Sequence, residues 1–265
     1  MAAETDAAAT AHPPGLAARL RATAAELGGP NAVLYWISRV LWRTGGIVRL
    51  HRYVIVLQPV PQKPLLKPHR GRSIAVEPLS RDDPRLFDLP LTRAVMDYRF
   101  DQGALCLGAV KDGRVIGCLW LCLGPFDEDE VRCRYVREPE GAASWDFDVY
   151  VHPDHRTGFA FGRLWDAANA LLRERGACHS ASRISAFNAA SLKSHASLGA
   201  AAVGRATFLR LGPRLQVMVS DLAPRVNVSW RDDRPPRLVI PCPPPTPAST
   251  QVGENKEGAS CDCAS

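Results

Sequence analysis

In the segment WDFDVYV, residues 145–151, Trp145, Phe147, Val149 and Val151 alternate with Asp146, Asp148 and Tyr150. A period of two predicts a β-strand with the aromatic and aliphatic side chains on one face and Asp146, Asp148, Tyr150 and His152 on the other. After the turn HPDHRTG the period lengthens, and Phe161, Leu164, Ala168, Leu171 and Leu172 fall on one side of a helix. A second strand in SASRISAFN and a second helix over 188–199 follow. Strand, helix, strand, helix predicts two parallel neighbouring strands joined by a right-handed crossover. The free N–H groups of the first helix then point beyond the strand ends.

The same reading organises the rest of the chain. Residues 1–30 are alanine-rich with Pro13-Pro14 and read as a tail, in which 16–27 can form a short helix. Asn31 is placed to cap a helix AVLYWISRVLW whose apolar face carries Val33, Trp36, Ile37, Val40 and Leu41, stopped by Gly45-Gly46. The strand RYVIVLQPV and the proline-punctuated link PQKPLLKPHRG complete an extension over 31–72. IAVEPLS reads as a strand, 83–100 as helical cover broken at Pro90, and ALCLGAVKDGRVIGCLWLCLGPF as a hairpin turning at Asp112-Gly113. The acidic tip DEDE and the segment VRCRYVREPEG read as a connection, and ATFLRLG and LQVMVSDL as two further strands. Residues 231–265 are rich in proline, serine and small polar side chains, a composition expected to stay without a fold.

Val151, Pro153 and Arg156 followed by Leu164, and later Asn188 and Ser191 leading to Leu198-Gly199, resemble the GNAT superfamily of acyl-CoA-dependent N-acetyltransferases. The resemblance covers about 74–212 and implies a domain over 73–230 of α/β (α+β) class. It implies a mixed, mostly antiparallel sheet with a central parallel strand pair and helices on both faces. It also implies acetyl-CoA, or another acyl-CoA, as co-substrate, an amine acceptor (a small molecule or a protein), and no metal. The cofactor would lie along Val149 and Val151, across Arg156, Thr157, Gly158, Phe159, Ala160, Phe161 and Gly162, with Asn188 and Ser191 on the pantetheine arm. An anion at a helix N-terminus is physically well founded. Phe159 and Phe161 stand where the family usually has small glycines, which motivates a second expectation: a noncatalytic module that binds a CoA derivative or a partner protein.

Within that frame the strand of alternating acids is expected to supply the base. Two carboxylates on one face raise at least one pKa toward the working range, with Asp148 the first choice and Asp146 the second. The competing expectation is a structural salt bridge with Arg183, Arg132 or Arg134. Seven residues after Asn188, where the resemblance implies a proton-donating tyrosine, stands His195, with Tyr150 as a substitute acid. Arg183, a cation in a serine-rich strand, is expected to face a carboxylate or phosphate on the acceptor, or an internal ion pair.

Composition narrows the setting. The chain has 265 residues, 46% hydrophobic and 23% charged, enough for one core with appendages. No apolar run reaches the length of a membrane span, and the first residues lack the basic and apolar regions of a signal peptide, so the expected location is the cytoplasm. Cys106, Cys118, Cys122, Cys133 and Cys178 lie in or beside apolar runs and are expected as buried thiols; Cys261 and Cys263 are too few for a zinc site. The net charge of +6 gathers in Arg39, Arg43, Arg49, Arg52, Lys63, Lys67, Arg70 and Arg72. No nucleic-acid motif accompanies them; a solvated face or a peripheral contact with an anionic membrane through 31–43 are the two expectations.

Overall fold

The computed structural model describes residues 15–230 and 235–243. The expected tails over 1–14 and 244–265, with Cys261 and Cys263, and the stretch 231–234 lie outside the described residues. In chain order come α1 (Leu16–Leu27), α2 (Gly29–Trp42), β1 (Val48–Pro59), β2 (Ala75–Leu79), α3 (Arg93–Asp101), β3 (Leu105–Lys111) and β4 (Arg114–Cys122). Next are β5 (Phe126–Asp127), β6 (Arg134–Glu138), β7 (Ala143–Val151), α4 (Ala160–Glu174), β8 (His179–Ser185) and α5 (Ala189–Ser197). The strands β9 (Ala201–Leu211), β10 (Leu215–Ser220), β11 (Val226–Ser229) and β12 (Arg237–Pro241) complete the set.

Nine strands form one sheet in the order β11-β10-β9-β1-β8-β7-β4-β3-β2. Every neighbouring pair is antiparallel except β7 and β8, which are parallel at the middle of the sheet. The expected fold class is therefore the observed one. The β3–β4 hairpin turns where expected, with Asp112 and Gly113 both at positive φ (50° and 78°), the backbone that twists a two-residue turn with the strands. The predicted break at Pro90 is also present, between a short 3-10 turn over Pro84–Asp88 and α3.

Four expectations are corrected. The strand assigned to a separate extension, β1, sits inside the sheet between β8 and β9, with Tyr53, Ile55, Val56 and Leu57 buried. An apolar run without strict alternation fits a strand covered on both faces. Residues 134–138, read as part of a connection, form β6, and 237–241, read as unable to order, form β12 parallel to it. Both strands belong to a small second sheet, β12-β6-β5, and Leu238 and Ile240 are fully buried. Two apolar side chains at alternate positions are enough once an existing strand offers a ladder and a core to enter. Asn31 is not a cap: α2 begins two residues earlier, with Pro30 in its first turn, and the Asn31 amide donates to Leu27 O (3.1 Å) while its oxygen accepts from Arg52 Nε (3.1 Å).

The sheet is covered on both faces. On one, α4 lays Ala160, Leu164, Trp165 and Ala168 over Leu107, Ile116, Leu119 and Leu121. On the other, α3 and the small sheet enclose Met96, Trp120, Phe126, Tyr135, Trp145, Leu238 and Ile240, with Tyr135 stacked on Trp145 at 4.2 Å. Helix α1 packs along α2 and buries none of its residues. Helix α2 packs on both α1 and β1, and part of its predicted apolar face borders an open groove with α1, so that Val33, Ile37 and Val40 remain exposed. All six described cysteines are free, five buried and Cys178 half-buried. Among the described residues no helix is long and apolar enough to cross a membrane.

Candidate active site

The site begins at an irregularity in β7. Asp146 pairs with Leu121 and Asp148 with Trp120, so Phe147 is an extra residue on the β7 side, a β-bulge. Phe147 and Asp148 therefore face the same way. The Phe147 ring stacks on Phe126 at 4.1 Å, and Asp148 accepts a hydrogen bond from Arg99 at 2.8 Å, with Arg99 itself between the rings of Trp120 and Phe147. Val149 and Val151 return to the α4 side. This overturns the expectation that Asp146 and Asp148 share a face. Asp148 forms the salt bridge that was the competing expectation, with Arg99 rather than Arg132, Arg134 or Arg183.

Asp146 takes the other side and is sealed, at 2% exposure. Burial pushes its carboxyl up, opposed by the nearby His195 and by the hydrogen bond from Ser180. Ser180 donates to Asp146 at 2.5 Å and lies 2.8 Å from the Ser144 hydroxyl.

The parallel ladder between β7 and β8 stops at the pair Asp146 and Ser182, although β7 runs on to Val151 and β8 to Ser185. The two strands part, and a cleft of about 600 Å3 opens at their ends. It brings together the predicted Val149, Tyr150, Val151, Arg156, Gly158, Phe159, Phe161, Gly162, Asn188, Ser191 and His195. Asp146, Asp148, Thr157, Ala160 and Arg183 do not line it; Ala160 is buried against the sheet.

Local sequence explains the walls. Helix α4 starts without a side-chain cap, since Phe159 offers none, so its first-turn N–H groups are left for a ligand. Arg156 is anchored by a hydrogen bond from its Nε to Val151 O (3.1 Å). On α5, the Asn188 side chain accepts from Ser191 N at 3.0 Å, which fixes the helix start as the sequence predicts and places both residues at the cleft. His195 is 6% exposed, lies edge-on to Trp165 at 5.9 Å, and has a buried Nδ1 without a hydrogen-bond partner. Phe159 and Phe161 line the cleft rather than fill it, and Phe159 lies under the guanidinium of Arg70 at 5.7 Å.

Leu66, Ala190 and Ser194 also line the cleft and had no signal in the sequence strong enough to single them out. Leu66 belongs to the proline-punctuated link, which is clipped to α4 where Leu65 N and Leu66 N donate to the Asp166 carboxylate (2.6 and 3.2 Å). A Cβ at Gly162 would meet Leu66 at 3.0 Å, so that glycine makes room for the link.

Behind the parting strands, on the Asp148 side, the acidic tip folds back onto the sheet instead of projecting. Arg183 is held by Glu128 through two hydrogen bonds (2.5 and 2.6 Å), lies 3.2 Å from Glu130 and covers the Tyr53 ring at 4.5 Å. It thus takes the internal ion pair. Asp129 lies 3.5 Å from Arg99, and Tyr53 donates to Glu130 at 2.6 Å. His51, then Arg183 and Tyr53, hold the Glu130 carboxyl down to about 2. Four carboxylates, Glu128, Asp129, Glu130 and Asp148, face two guanidiniums, Arg99 and Arg183, so the group is acidic on balance. No cluster of three or more metal-ligating side chains occurs among the described residues.

No family model matches the chain, and no curated protein matches it. Solved structures that resemble it include two GNAT proteins and an aminoglycoside acetyltransferase. One is a GNAT-family protein from Novosphingobium aromaticivorans, 18% identical, over 60% of this chain and 63% of that one, with a TM-score of 0.43. Another is a tandem GNAT protein from the clavulanic acid biosynthesis pathway, 16% identical over 60% and 53%, TM-score 0.44. A third is an aminoglycoside acetyltransferase from an uncultured soil metagenomic sample, in complex with sisomicin, 12% identical over 48% and 88%, TM-score 0.36. The chain thus spans less than two thirds of the first two structures. With these TM-scores below 0.5, the functional reading rests on the chain's own geometry.

Proposed function

We propose that the protein is an N-acyltransferase that moves an acetyl or other acyl group from acyl-CoA to a primary amine by direct attack. The observation that carries this reading is the cleft at the parting of β7 and β8, whose walls bring together the uncapped start of α4, Arg156 and His195. Free helical N–H groups with a guanidinium suit a diphosphate. The separated strand edges of Val149 and Val151 suit an extended amide-bearing arm, and a thioester then reaches the neighbourhood of His195.

The acceptor reaches the thioester from the Asp148 side, where the excess of carboxylates draws in a protonated amine. Asp148 takes the proton from the ammonium nitrogen, the neutral amine forms the new C–N bond at the thioester carbon, and the C–S bond breaks. His195 protonates the departing thiolate, with Tyr150, which also lines the cleft, as the other available donor. Asp146 serves as a positioning residue behind His195. Attack by the amine itself requires no covalent enzyme intermediate.

The test is calorimetric titration with acetyl-CoA and longer acyl-CoAs, followed by thiol release in the presence of a panel of primary amines. Saturable binding with amine-dependent thiol release is expected. Absence of heat with every acyl-CoA overturns the assignment. Binding without thiol release for any amine returns the protein to a noncatalytic CoA-binding module, the reading that the two phenylalanines in the cleft wall favour.

A further inference from the structure

A second cavity, of about 380 Å3, adjoins the cleft and shares Gly158 and Phe159 with it. Its other walls carry four basic side chains, His69 and Arg72 from the link before β2, Lys111 from the β3–β4 hairpin and His155 from the turn after β7. No acid lines it. Among the described residues none of these four side chains is in a salt bridge; Arg72 is merely steadied by a hydrogen bond from its Nε to Pro68 O at 3.0 Å. The guanidinium of Arg72 and the ammonium of Lys111, brought together from two separate segments, repel one another, and with two imidazoles beside them and no internal acid the arrangement is completed by an anion from outside. The fold invests in holding the link there: a Cβ at Gly71, whose φ is +67°, would meet the Cβ of Phe159 at 2.9 Å, so the link passes directly over the start of α4.

Phe159 divides this basic cavity from the cleft, so a ligand whose diphosphate lies at the start of α4 has its next anionic group within reach of the basic side. In an acyl-CoA that group is the monoester phosphate on the 3′ position of the ribose. We propose that the cavity ringed by His69, Arg72, Lys111 and His155 binds the ribose 3′-phosphate and makes the protein selective for CoA over ligands that lack it. The inference rests on the reading of the cleft as an acyl-CoA site.

The experiment compares CoA with 3′-dephospho-CoA by calorimetric titration, in the full chain and in Arg72→Gln, Lys111→Met and the double variant. Both substituted positions lie outside the cleft walls. The expected result is that the unmodified protein binds CoA roughly tenfold to hundredfold more tightly than dephospho-CoA, the span of one charge-assisted hydrogen-bonded contact. The double variant should lose most of that ratio while its affinity for dephospho-CoA stays within about threefold. Equal affinities for the two ligands in the unmodified protein overturn the proposal and leave the cleft assignment standing. So does an equal loss for both ligands in the double variant. Failure of both ligands to bind removes the cleft assignment and this inference with it.

Discussion

Replacing His195 by phenylalanine separates the two things this side chain does. The ring packs edge-on against Trp165 at 5.9 Å within an almost fully buried setting, a contact worth about 0.5–1.5 kcal/mol beyond the area it covers. Phenylalanine keeps a ring there. It also removes the buried Nδ1 that has no partner, a group whose desolvation costs about 1–3 kcal/mol. His195→Phe is therefore expected to unfold at the same temperature as the unmodified protein or slightly above it, whereas His195→Ala opens a hole beside Trp165 and loses about 2 kcal/mol or more. Turnover behaves differently. A positioned general acid contributes about 10²–10⁴-fold, which at about 1.36 kcal/mol per decade is roughly 3–5 kcal/mol of barrier. Both variants should lose that factor in kcat, while the dissociation constant for acyl-CoA stays within about threefold. His195→Gln, which is close in size and cannot serve as the acid, guards against a phenylalanine that blocks the cleft; it should match the other two in kcat. Steady-state thiol release, calorimetric titration and scanning calorimetry supply the three readouts. If His195→Phe turns over within about threefold of the unmodified protein, the ring only packs and the acid assignment is wrong.

Other consequences test the surroundings of the site. Glu128→Gln removes the more buried of the two carboxylates that hold the Arg183 guanidinium, leaving Glu130, and should cost about 1.5–3 kcal/mol in urea unfolding; an effect below about 0.5 kcal/mol would show that the pair holds nothing together. Glu130 has a carboxyl depressed from 4.5 to about 2, so the folded state binds its proton less readily than the unfolded one. Its contribution is present above about pH 4.5 and is lost as pH falls toward 2; because the side chain is half exposed, it amounts to about 1 kcal/mol or less. The difference in melting temperature between the unmodified protein and Glu130→Gln should shrink over that interval, and a constant difference would contradict the pairing with His51. Leu238→Ala, in the strand that completes the small sheet, should cost about 2–5 kcal/mol because its side chain is fully buried; a loss under about 1 kcal/mol would mean that β12 is not part of the cooperative unit. Gly117→Ala would place a Cβ 2.7 Å from Tyr150 O on the neighbouring strand and should lower the melting temperature and acyl-CoA binding together, whereas an unchanged melting temperature would show that β4 and β7 yield at that point.

What could be read from the chain alone were the features carried by neighbours in sequence. The switch from a period of two to the helical period at Phe161 places β7 and α4, Asp112-Gly113 sets the hairpin, and Asn188 caps α5, each through backbone preferences acting over a few residues. The cleft residues found in advance lie almost entirely within that contiguous βαβα unit. Tertiary structure decided what depends on distant partners. Asp148 meets Arg99 across 49 residues of sequence and Arg183 meets Glu128 across 55, and neither separation leaves a trace in local periodicity. The extra residue at Phe147 undoes the alternation that put Asp146 and Asp148 on one face, because a bulge is set by the register with β4 and not by the composition of β7. The same holds for β1 and β12, whose apolar residues are ordinary until the sheet supplies the edges and the core that accept them.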